Sequence, residues 1–89
     1  MGKVEEYILF LEGKGFQFHE DTIGFIFFGK HYTNASEELI TTAIELTIKA
    51  QVGFDGSFYV SLLETFLSNN IQTRKDAYHF VKEKKLLVL

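Results

Sequence analysis

Apolar residues recur along this chain at helical spacing, and four of the five places where they do so are unambiguous. Val4, Ile8 and Leu11 fall at i, i+4 and i+7 with Tyr7 and Phe10 beside them, which predicts an amphipathic helix over 3–13, stopped by Gly13 and Gly15. Further on, Leu39, Ala43, Leu46 and Ala50 run beside Ile40, Ile44 and Ile48, leaving Glu38, Thr41, Thr42, Glu45 and Lys49 as a polar stripe over 37–51. Ser36 precedes Glu37 and Glu38, an N-cap followed by two acids at the positive end of the helix dipole. The two glutamates point to different sides of that helix. Glu45 and Lys49 form a correctly ordered i, i+4 pair, and Gly53 is expected to end the element.

Asp55, Gly56 and Ser57 make a turn and cap for a helix over 58–69, with Tyr59, Leu62, Leu63, Phe66 and Leu67 inward. Asn69 and Asn70 stop it, because asparagine tolerates the left-handed conformation. Thr73 with Asp76 resembles a capping box and opens a last helix over 74–85, with Ala77, Tyr78 and Val81 inward. Residues 15–33 are ambiguous, since Phe16, Phe18, Ile23, Phe25, Ile26, Phe27, Phe28 and Tyr32 suit a strand as well as a helix. A hairpin needs a turn at 19–22 and places Gly24 and Gly29 in its second strand. A helix over 20–32 puts Glu20 and Asp21 in its first turn and aligns Ile23 with Phe27 and Phe28 with Tyr32. The helix fits better, and the expected architecture is all-α, a compact bundle of about five short helices in one domain, 1–89.

Composition narrows the function classes. Hydrophobic residues are 46% of the 89, with ten Phe and four Tyr, ample for a core. Cysteine is absent, which excludes disulfides, thiolate metal sites and cysteine nucleophiles and fits a reducing compartment. Glu5, Glu6 and Glu12 in the first segment are wrong for a secretory signal, and the segment is too short for a membrane span. A cytoplasmic protein with no membrane partner is the expectation.

Candidate chemistry is sparse. His19, His31 and His79 do not share metal-ligand spacing, Gly13-Lys14-Gly15 lacks the loop and context of a phosphate cradle, and no serine stands beside a base in a nucleophile motif. Lys30, His31 and Tyr32 at a helix end offer at most a weak anion contact. No enzyme activity, cofactor or metal is expected. Phe58, Leu62 and Phe66 form a row at i, i+4 and i+8 that suits core packing, with base stacking or partner docking as the functional alternative.

Net charge is −3, yet Arg74, Lys75, Lys82, Lys84 and Lys85 gather in the last segment against only Asp76 and Glu83. That leaves an acidic body with a local basic patch, open to single-stranded nucleic acid more than to duplex. After the basic turn come Leu86, Leu87, Val88 and Leu89, a run that would be an exposed apolar patch if left in water. It reads as a docking tail that either folds back as a lid over the Phe-rich second helix or packs on a second copy or a partner.

Taken together, Ser36-Glu37-Glu38-Leu39-Ile40, Ala43-Ile44, the Phe58, Leu62, Phe66 stripe, Asn70-Ile71-Gln72-Thr73 and Asp76-Ala77 follow a known order and spacing. Residues 36–85 resemble the C-terminal module of DnaD-like primosomal proteins of Gram-positive bacteria and their phages. Phe58 stands where that family has Tyr, Phe66 where it has Trp, and Asn70 where it has Gly. The resemblance implies a helical module in which the aromatic stripe and basic tail touch DNA. The layout also resembles short conserved proteins of such bacteria. The residues themselves point first to a small non-catalytic helical module that binds a protein partner or forms a homodimer, and second to an accessory that contacts single-stranded DNA through the last helix.

Overall fold

The computed structural model describes residues 2–51 and 54–86. Five helices follow one another: α1 (Lys3–Gly13), α2 (Glu20–Tyr32), α3 (Glu37–Ala50), α4 (Gly56–Ser68) and α5 (Arg74–Glu83), with no strand among the described residues. The ambiguous second segment is helical over 20–32, so the hairpin alternative is excluded and Phe16 and Phe18 lie in the connection before it. Gly53, expected to end the third helix, lies outside the described residues; α3 stops at Ala50 with Gln51 as its C-cap.

The capping chemistry is local and acts as the sequence implies. The Ser36 hydroxyl accepts from Leu39 N–H, the Asp55 carboxylate from Phe58 N–H and the Thr73 hydroxyl from Asp76 N–H. At the other ends, α1, α4 and α5 close with the same device. Gly15, Asn70 and Lys85 take left-handed φ values of 101°, 59° and 55°. The next residue then donates its N–H five positions back, Phe16 to Leu11, Ile71 to Phe66 and Leu86 to Val81. Each turn sets an apolar residue just past its helix; Ile71 is buried in the core, whereas Phe16 and Leu86 stay partly in water.

The helix α3 is the centre of the bundle and packs against all four others, while α2 also packs on α4. Seven of its residues are buried, over somewhat more than half of its circumference. This corrects the assignment of Thr42 to a polar stripe: Thr42 is inside, as is Thr47, and their hydroxyls donate to the Glu38 and Ala43 carbonyls at 2.8 and 2.7 Å. A threonine can enter a core when its own helix satisfies it. The core draws on every helix, from Val4, Ile8 and Leu11 through Ile26 to Tyr59, Leu63, Phe66, Ala77 and Val81. The radius of gyration, 12.1 Å, is that of a tightly folded chain of this length, about 12 Å.

The start of α3 ties distant parts of the chain together. Glu37 accepts from Val4 N–H at 3.1 Å and so caps α1, while Glu38 accepts from Arg74 N–H at 2.7 Å and caps α5. Ser36 donates its hydroxyl to the Gln72 carbonyl and its N–H to the Gln72 side chain, both at 2.7 Å.

Candidate docking site

Because α2 is apolar on every side, its orientation depends on where α4 can approach. The approach is made at Gly29, where an added Cβ would lie 2.6 Å from Tyr59 Oη and 2.7 Å from Leu63 Cδ1. The Tyr59 hydroxyl donates to the Ile26 carbonyl at 2.9 Å, and Ile26 and Gly29 are the buried residues of the helix. The Phe28 and Tyr32 row, read from the sequence only as an aligned apolar pair, therefore faces water. Phe25 is 42% exposed, Phe28 50% and Tyr32 76%, with the Phe28 and Tyr32 rings 5.1 Å apart.

The Phe25 and Phe28 rings border a groove. Gly24, Phe25 and Phe28 of α2 face Ser57, Val60 and Ser61 of α4 across an open channel of about 520 Å³, with Asp21 at its rim. Gly56 lets the channel form at that width, since a Cβ there would collide with the Phe25 ring, which lies on the first turn of α4. A smaller groove, about 180 Å³, lies beside it between α4 and Leu86, lined by Phe58, Ser61, Leu62 and Thr65. Ser61 belongs to both.

The residues singled out in the sequence are not gathered into one place. Phe66 is wholly buried with its ring edge-on to Phe80, in the inward position that its spacing implies, and the alternative of base stacking or partner docking does not hold for it. Phe58 is half-buried and lines the smaller groove. Arg74 makes a two-pronged pair with the Glu45 carboxylate at 2.9 and 3.1 Å and stacks over the Tyr78 ring, 4.5 Å from its centre. Lys75, Lys82, Lys84 and Lys85 are exposed. Leu86 is 48% exposed at the smaller groove, and Leu87, Val88 and Leu89 lie outside the described residues. Lys30, read as a weak anion contact, pairs with Glu5 at 3.2 Å. His79 pairs with Glu83.

One polar cluster was only half visible in the sequence. The Glu45 carboxylate meets Lys49 at 3.3 Å, as its spacing implies, and also collects Arg74 and the Tyr78 hydroxyl from α5. Every charge in it has a partner, which makes it a strap between α3 and α5 and not a reactive centre. Burial, with the Glu45 charge adding to it, pushes the Tyr7 phenol up to about 12, and burial alone pushes Tyr59 up strongly. Both folded-state values exceed the unfolded one, about 10. The stabilisation from keeping these phenols protonated is thus complete below about pH 10 and is lost as pH climbs toward the folded values. Spectrophotometric titration should show late phenolate absorbance that Tyr7→Phe and Tyr59→Phe each reduce; an unchanged high-pH limb in both variants would show that neither phenol is held back.

Among the described residues, no three His, Cys, Asp or Glu side chains converge as a metal site, and no helix is long and apolar enough to cross a membrane. No curated protein and no solved structure matches the chain. A family model does, over residues 1–87, and the chain belongs to that family, DUF6123, described as a family of unknown function.

Proposed function

We propose that this protein is a cytoplasmic, non-catalytic helical binding module that docks a protein, a second copy or another chain, through the groove between α2 and α4. The observation that carries this reading is the aromatic face of α2. Phe25, Phe28 and Tyr32 stand exposed on one face, the first two lining a concave apolar channel, on a helix whose other face is fixed at Gly29. Aromatic side chains beside a preformed groove are the usual anchors of protein interfaces, and contiguous exposed apolar surface on a small domain marks interaction. Phe28→Asp leaves the core intact and places a charge in the channel.

Light scattering over a concentration series is the test. For self-association, the mass of the wild type climbs toward the dimer and that of Phe28→Asp stays at the monomer, with helical circular dichroism unchanged. For a different partner, the wild type stays monomeric, and affinity capture from cytoplasm loses its bound protein on the same substitution. A surface that responds in neither assay is not a docking surface.

The second reading, a DnaD-like accessory on single-stranded DNA, is favoured by the exposed row of Lys75, His79 and Lys82 on α5 with Lys84 and Lys85 after it. It is weakened by the burial of Phe66, which removes one stacking platform, and by the engagement of Arg74 with Glu45. Phosphate contacts would make single-strand affinity fall steeply with salt, whereas apolar docking at α2 would not.

A further inference from the structure

On the docking reading of the groove between α2 and α4, we propose that its occupant is α2 of a second copy, laid antiparallel about a two-fold axis that passes between Phe25 and Phe28.

The exposed face of α2 is complementary to itself. Asp21, Phe25, Phe28 and Tyr32 are all exposed. Their spacing of four, three and four residues sets them in one row along the helix, the spacing by which two helices pack along a seam. When a second α2 runs past the first in the opposite direction, with the axis midway between positions 25 and 28, the row meets its own reverse. Phe25 then faces the partner's Phe28, and Asp21 faces the partner's Tyr32. A carboxylate acceptor meets a phenol donor at each end, with two pairs of rings between them. Each pair occurs twice, as a two-fold contact requires.

Charge selects the same direction. The helix begins with Glu20 and Asp21 and ends with Lys30 and His31. Antiparallel pairing sets the acidic start of one α2 beside the basic end of the other and opposes the two helix dipoles, whereas parallel pairing would set acid against acid. Lys30 is held by Glu5 at 3.2 Å, so the exposed His31 is the basic side chain left to meet the partner's first turn.

The exposed parts of Phe25, Phe28 and Tyr32 amount to roughly 350 Å², at about 200 Å² for a whole aromatic side chain. A standard interface takes about 800 Å² from each partner, and the walls of the channel, Ser57, Val60 and Ser61 of α4, lie within the same contact. α4 runs beside α2 in the same direction, Gly56 against Phe25 and Tyr59 and Leu63 against Gly29. Two copies therefore bring four helices together, two up and two down.

The chain has no cysteine, so single cysteines in the full-length protein report the geometry. Asp21→Cys and Tyr32→Cys are oxidised separately and as an equimolar mixture, with circular dichroism of each to show that the helices persist. Covalent dimer is expected from the mixture alone. Positions 21 and 32 face each other across the axis, whereas like positions stand roughly 16 Å apart along it, beyond the reach of a disulfide. Adding Phe28→Asp to both chains is expected to abolish the cross-link and adding Leu9→Asp, on the exposed side of α1, to leave it. The wild type is expected to approach twice the monomer mass in light scattering. Equal yields in all three reactions, a cross-link that survives Phe28→Asp, a dimeric wild type whose mixture does not cross-link, or a wild type monomeric at millimolar concentration would each overturn the proposal. The docking reading is decided separately: a monomeric wild type that loses a captured protein on Phe28→Asp keeps the groove as a docking site and removes the second copy from it.

Discussion

Phe66→Ala is expected to lower the stability of the protein by about 3–5 kcal/mol. The ring is fully buried on α4 and meets Phe80 edge-on, while the Phe66 carbonyl accepts the Ile71 N–H that closes the helix. Alanine keeps that backbone bond and removes only the ring, so the loss measures packing alone. Against a total of roughly 5–15 kcal/mol for an ordinary domain, the variant would be marginally folded or unfolded at 37 °C. Urea unfolding followed by circular dichroism is the measurement. A change within about 0.5 kcal/mol, the range of surface substitutions, would mean that the ring is outside the core.

Gly29→Ala is expected to destabilise the protein by about 2 kcal/mol, although alanine is the better helix former by about 1 kcal/mol. The new methyl meets Tyr59 Oη and Leu63 Cδ1 well inside contact distance, in a crossing closed on both sides. Overpacking of a core costs about 1–3 kcal/mol, and pushing Tyr59 aside also breaks its hydrogen bond to the Ile26 carbonyl, a further loss of about 1 kcal/mol. Gly24 on the same helix has open space where its Cβ would be, so Gly24→Ala should raise stability by about 0.5–1 kcal/mol. Thermal melts of the two variants moving in opposite directions would confirm the crossing; both rising would show that α4 can retreat from Gly29.

What was legible in the sequence was what is decided locally. Ser36, Asp55 and Thr73 each cap a helix within three residues of themselves, and Asn70 ends one by its own backbone preference, so helix positions followed without knowledge of packing. The facing of α2 did not follow. With Ile, Phe and Tyr on every side, its pattern names no inner face, and what decides is a glycine that admits another helix 30 residues away. For the same reason the channel beside Phe25 and Phe28 was not visible, since its far wall is Val60 and Ser61 of α4. Thr42 misled because a hydroxyl reads as polar whether or not its own helix accepts the proton. Arg74 was read as part of a basic patch, since its partner Glu45 lies 29 positions away on another helix.

The capping role of Glu37 and Glu38 makes the fold two loops held by one clasp. One loop runs from Val4 to Glu37, 33 positions apart, and the other from Glu38 to Arg74, 36 positions apart, so both close on adjacent residues. The start of α3 thus helps to offset the entropy of closing both loops. Core packing and the Glu45 strap hold α1 and α5 as well, but the caps of both helices rest on the same turn. A chain built this way resists unravelling from its ends, since peeling α1 or α5 away strips a partner from the same turn of α3 that holds the other.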